Sequence, residues 1–67
     1  MTEDERRDLL ELNVFLKRAM KQNDDAISNY PTTGSSDGYR FLIAKAIMYR
    51  ENLKTVLTLL QNESENE

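Results

Sequence analysis

Apolar positions recur along this chain in alternating steps of three and four. In the first half the series is Leu9, Leu12, Leu16, Ala19, Asn23, Ala26 and Tyr30. In the second it is Tyr39, Leu42, Ala46, Tyr49, Leu53, Val56 and Leu60. This spacing is the a/d seam of a heptad repeat, the apolar stripe along one side of a helix. Folding the chain back antiparallel about residue 34 pairs the positions as 9/60, 12/56, 16/53, 19/49, 23/46, 26/42 and 30/39. Ala19 then faces Tyr49, and Ala26 faces Leu42. Large side chains opposite small ones let two helices interdigitate at constant spacing. The predicted fold class is all-α: a two-helix antiparallel hairpin.

The punctuation agrees with that pattern. Thr2-Glu3-Asp4-Glu5 reads as a capping box, with acids at the positive end of the helix dipole. Pro31 disfavours helical geometry at Tyr30, so helix one is expected over about 3–29. Asn23-Asp24-Asp25 is poor helix by propensity, and a kink or frayed end is expected there. Asn23 on the seam either marks that end or fixes register by pairing across a core. The loop is expected over 30–37, rich in Pro, Thr, Gly, Ser and Asp, with Ser36 or Asp37 capping helix two over about 38–60. Residues 61–67 carry no core position and read as a disordered acidic tail.

Helix two is apolar on more sides than one neighbour covers. Phe41, Met48 and Leu59 form a stripe beside the seam, and Ile43 and Ile47 form another. On helix one, Phe15, Met20 and Ile27 are expected to flank the seam, while Leu10 and Val14 pair on the far side. Either Phe41 and Met48 widen the hairpin core and the isoleucines stay exposed, or these stripes meet further copies or a partner protein. Two hairpins closing into a four-helix bundle are the simplest assembly. The expected oligomer interface is Phe41, Ile43, Ile47, Met48, Leu59, Leu10 and Val14.

Size sharpens that expectation. Sixty-seven residues make one small domain, and small domains need a staple. With no Cys there is no disulfide. With no Cys and no His, a zinc site is not expected either, nor are most nucleophile–base pairs. No constellation meets the geometric demands of catalysis, so the chain is read as non-enzymatic and cofactor-free. The net charge of -3 argues against global steering toward nucleic acid. No apolar run is long enough to span a bilayer, and the charged first fifteen residues do not start a signal peptide. Cytoplasmic localisation is expected.

Two places have chemistry suited to an anion. At the start of helix two, Ser35 and Ser36 lie beside Tyr39 and Arg40, with Lys45 further on and Arg50 within reach in an oligomer. Backbone N–H groups, a planar guanidinium and a stacking ring suit a phosphate-bearing ligand, although Asp37 already occupies the helix start. The second place is the basic face of helix one, with Arg6, Arg7, Lys17, Arg18 and Lys21. The competing reading there is a solvated face paired with its own acids.

The layout of a short helical hairpin with an acidic end resembles the Rop RNA-binding proteins of plasmids. That resemblance implies a dimeric four-helix bundle, with Asn13, Lys17 and Lys21 as the comparable RNA-facing residues. The loop is longer than in that family, and helix one lacks its aromatic on the RNA face. The layout, with Met48-Tyr49-Arg50-Glu51-Asn52 on helix two, is also similar to phage anti-CBASS sponges. That similarity implies an oligomer holding a cyclic nucleotide between basic and aromatic residues. The functional expectation is a small non-enzymatic binding or inhibitory protein of phage type. It would act through a helical face on a host protein or by sequestering an anionic nucleotide. The alternatives are an RNA or DNA binder using helix one, and a purely structural assembly subunit.

Overall fold

The computed structural model describes residues 1–65, with side chains described through Asn62. Two helices pack against each other, α1 over Glu3–Ser28 and α2 over Ser36–Glu65. The chain is the expected all-helical hairpin, a rod with Cα extents of 53 × 14 × 13 Å.

α1 begins as its sequence dictates. The Thr2 hydroxyl accepts from the Glu5 N–H at 3.1 Å, satisfying one of the N–H groups a helix start leaves orphaned. It then runs unbroken through Asn23-Asp24-Asp25, so the helix does not fray there. Asn23 explains why. It is buried at 4% exposure, and its Nδ2 donates to the Leu42 carbonyl of α2 at 2.8 Å. A contact between helices overrides weak local propensity. The seam asparagine thus bonds across its own hairpin. α1 ends at Asn29, whose backbone N–H and side-chain Nδ2 both reach the Asp25 carbonyl.

Chain reversal centres on Tyr30. A turn closes from the Gly34 N–H to the Pro31 carbonyl at 2.9 Å. The Tyr30 hydroxyl donates to the Ser35 carbonyl at 2.6 Å, and its ring lies 5.6 Å from that of Tyr39. Tyr30 covers both glycines closely. A Cβ on Gly34 would fall 2.6 Å from the Tyr30 ring, and one on Gly38 would strike the Tyr30 hydroxyl. Both glycines have negative φ, so close approach is what they provide here. Ser35 caps α2, its Oγ accepting from the Gly38 N–H at 3.1 Å. The cap therefore sits one residue before the expected Ser36 or Asp37, and α2 starts two residues early. At its far end α2 continues through residues 61–65, which were expected as tail. Gln and Glu in this stretch are good helix formers. Residues 66–67 of that tail lie outside the described residues.

The core is thin. Among the described residues the buried hydrophobic side chains are Leu16, Leu53 and Val56, with Leu9, Met20, Tyr49 and Leu60 packed against them. The α2 seam is as expected from Leu42 to Leu60, while Tyr39 at its start is exposed. The α1 seam is turned by about 50°, half a residue's step. Leu12 and Ala26, expected inside, are exposed, whereas Asn13, Met20 and Ile27 are half-buried. Leu9, Leu16 and Asn23 serve either rotation. The observed one half-buries Met20 and Ile27 and leaves Leu12 and Ala26 exposed, with Ala19 half-buried between the two. Its cost falls on Asn13, whose Oδ1 is buried without a partner. Phe15 is turned outward as well, at 63% exposure.

Candidate functional site

The rotation of α1 gives the hairpin two unlike sides. At about 100° per residue, Leu12, Phe15, Ala19, Gln22 and Ala26 share one flank of α1. On α2 the matching flank carries Phe41, Lys45, Met48, Asn52, Thr55 and Leu59. The two flanks adjoin. Ala19 and Ala26 share a shallow hollow of about 160 Å³ with Leu42, Lys45 and Tyr49. Leu12 shares a cleft with Leu59. Together they make one continuous side with Leu12, Phe15, Phe41, Met48 and Leu59 all exposed.

This side is nearly free of charge between its ends. Lys45 is the one ionic residue at those eleven positions, and its Nζ lies 5.1 Å over the Phe41 ring. Its stem is thereby laid along the surface, as amphipathic side chains are when they cover apolar neighbours. Thr55 turns its hydroxyl back to the Glu51 carbonyl at 3.1 Å, which satisfies that group within the helix. Acids enter toward the ends, where Glu5 and Asp8 border the Leu12–Leu59 cleft and Asp37 stands one turn before Phe41.

The opposite side mixes apolar and charged groups. Met20, Leu53 and Leu57 line a groove with Asp24, Arg50 and Lys54. Ile43 and Ile47 are exposed beyond it on α2, and Leu10 and Val14 on α1. The seven residues expected at an oligomer interface are therefore divided. Phe41, Met48 and Leu59 share the uncharged side. Ile43, Ile47, Leu10 and Val14 lie away from it, among charges. Leu12 and Phe15 were missed because one was expected in the seam and the other on its flank.

The expected anion ligands do not converge within one hairpin. Arg40, Lys45 and Arg50 are five residues apart in turn, so they point about 140° apart around α2. Arg40 and Arg50 are exposed, Lys45 is half-buried beside Phe41, and Tyr39 packs its ring on Tyr30. Asn13, Lys17 and Lys21, by contrast, follow one another at four-residue steps along one side of α1. The described ion pair Arg7–Asp4 is a surface pair at 3.1 Å, its side chains 66% and 81% exposed. Pairs of that kind contribute little. Among the described residues no three or more His, Cys, Asp or Glu side chains gather as a metal site. No described helix is long and apolar enough to cross a membrane.

No protein-family model matches the chain, and neither the curated proteins nor the solved structures contain a match. The surface itself is what bears on function.

Proposed function

We propose that this is a small non-enzymatic binding protein that works by laying the uncharged side of its hairpin against another protein surface. One observation carries the reading: Leu12, Phe15, Phe41, Met48 and Leu59 are exposed on a single continuous side while the interior buries only a few side chains. Contiguous apolar surface on a small chain marks a contact, because leaving it wet forgoes roughly 25 cal/mol per Å². The side has the anatomy of an interface core: aromatic and Met side chains, with Lys45 the one charge between the ends. Its flatness and the outward spread of Arg40, Lys45 and Arg50 suit a protein surface better than a small nucleotide, which needs convergent groups in a concave site.

A photo-crosslinking residue at position 15 tests the reading in the host cell. It is expected to capture protein, whether another copy or a different chain, and the same residue at position 18 is not. Titration calorimetry with cyclic dinucleotides and with RNA is the counter-test, and no saturable heat is expected. Saturable heat abolished by Arg40→Ala with Lys45→Ala would replace the reading with nucleotide sequestration. Salt-sensitive heat with RNA, lost in Lys17→Ala with Lys21→Ala, would replace it with nucleic-acid binding.

A further inference from the structure

We infer that the groove floored by Met20, Leu53 and Leu57 seats an acidic amphipathic helix of a partner protein. Its apolar stripe lies on the floor and its carboxylates meet Lys17, Lys21, Arg50 and Lys54. The groove is on the opposite side of the hairpin from the uncharged surface, so the inference goes beyond the reading above and is tested separately.

The spread of charge along the chain carries it. The net charge of -3 is uneven, because most of the acids lie in residues 3–11 and 63–67. Between residues 12 and 23 the ionic residues are Lys17, Arg18 and Lys21. Between 38 and 62 they are Arg40, Lys45, Arg50 and Lys54, with Glu51 the one acid. The body of the rod is basic under an acidic total.

Four of these cations border one groove of about 440 Å³. Arg50 and Lys54 line it from α2, and Asp24 is the one acid lining it, from α1. Lys17 and Lys21 stand about 60° and 100° around α1 from Met20, on the side that Asp24 marks. Arg50 and Lys54 stand at about the same offsets from Leu53 on α2. Each helix therefore gives the groove a cationic bank. All four cations are exposed, and none has a carboxylate at ion-pair distance among the described residues. Each bank is a like-charge pair four residues apart, an arrangement that costs a helix stability until an anion meets it.

Shape and polarity select the occupant. The floor is recessed: Leu53 is buried and Met20 half-buried, with Leu57 open to solvent. A bilayer surface is flat and does not reach a floor sunk between two helices. A row of phosphates would meet the cations and leave the apolar floor wet. An amphipathic helix supplies both contacts, apolar side chains at three- and four-residue spacing with acids beside them. The α2 lining runs from Arg50 to Gln61, about 16 Å along the axis, or three helical turns. A third helix laid there would also thicken the core around Leu53.

The probe is a fluorescein-labelled, capped peptide of two heptads, with leucine at the a and d positions and glutamate and alanine elsewhere. Fluorescence anisotropy is expected to show saturable micromolar binding that weakens as salt rises. Lys17→Glu with Lys54→Glu is expected to weaken it roughly tenfold or more, and Leu57→Ala to weaken it less. Arg7→Glu with Arg18→Glu makes the same charge change away from the groove and is expected to leave binding nearly unaltered. Circular dichroism checks that each variant stays helical. Equal weakening by the two charge pairs would overturn the groove as the site. Equal binding of a peptide with alanine in place of leucine would overturn the use of the floor. Failure of the leucine peptide to bind would overturn the inference. Binding of phosphatidylserine vesicles or single-stranded RNA in its place would assign the basic side to lipid or to nucleic acid. None of the peptide outcomes bears on capture through position 15.

Discussion

Leu53 lies between Leu16 and Val56, and these three are the buried hydrophobic side chains of the described hairpin. Leu53→Ala is expected to cost about 2–5 kcal/mol, since a cavity beside Leu16 adds to the lost transfer energy. In so small a chain that loss exposes most of the stability margin. Thermal unfolding followed by circular dichroism reads it directly; an unchanged midpoint would mean the 16/53 layer is not formed. Asn23 is the second decisive residue. Its Nδ2 donates to the Leu42 carbonyl while its Oδ1 is buried without a partner. Asn23→Ala removes one modest hydrogen bond, worth about 1 kcal/mol. Asn23→Asp replaces the donor with a carboxylate facing a carbonyl, and Lys45, which lines the same hollow, has its Nζ over the Phe41 ring. The Asp variant is therefore expected to unfold at lower temperature than the Ala variant, an order that simple loss of volume does not predict.

At the scale of the helix, the caps separate what sequence made legible from what it did not. Thr2 was readable because the Thr-x-x-Glu spacing is specific. The α2 cap was not, because Ser35, Ser36 and Asp37 are all competent and only the geometry of the turn selects Ser35. Ser35→Ala is expected to cost about 1 kcal/mol and Ser36→Ala close to nothing. Equal effects in thermal melts would shift the helix start. The seam of α1 failed in a similar way. Positions 9, 16 and 23 are seven apart and serve two rotations, one through 12, 19 and 26, the other through 13, 20 and 27. Periodicity scores them alike, and the structure takes the rotation through 13, 20 and 27. The stripe of Phe41, Met48 and Leu59 beside the α2 seam was legible, whereas its exposure was one of two readings that only the packing separates. The exposure of Leu12 and Phe15 was not legible, since it depends on the rotation chosen for α1.

At the scale of the whole molecule, assembly and stability become one quantity. If the uncharged side is closed by a second copy, the melting temperature rises with protein concentration, because dissociation accompanies unfolding. A midpoint unchanged across a hundredfold dilution range would show that the hairpin stands alone. The contacts of Tyr30 limit which assemblies are open to the chain. A helical hairpin has a rival topology, in which the loop straightens and both helices merge into one long rod that exchanges halves with a neighbour. That rival keeps the same seam contacts, so the core scarcely discriminates against it. The hydrogen bond from Tyr30 to Ser35 and the packing of Tyr30 on Tyr39 exist only while the chain is reversed. Tyr30 thus acts as a topological safeguard: it sets the hairpin apart from an interlocked, domain-swapped chain. Tyr30→Ala, by that logic, shifts the population toward swapped, elongated species that small-angle scattering resolves.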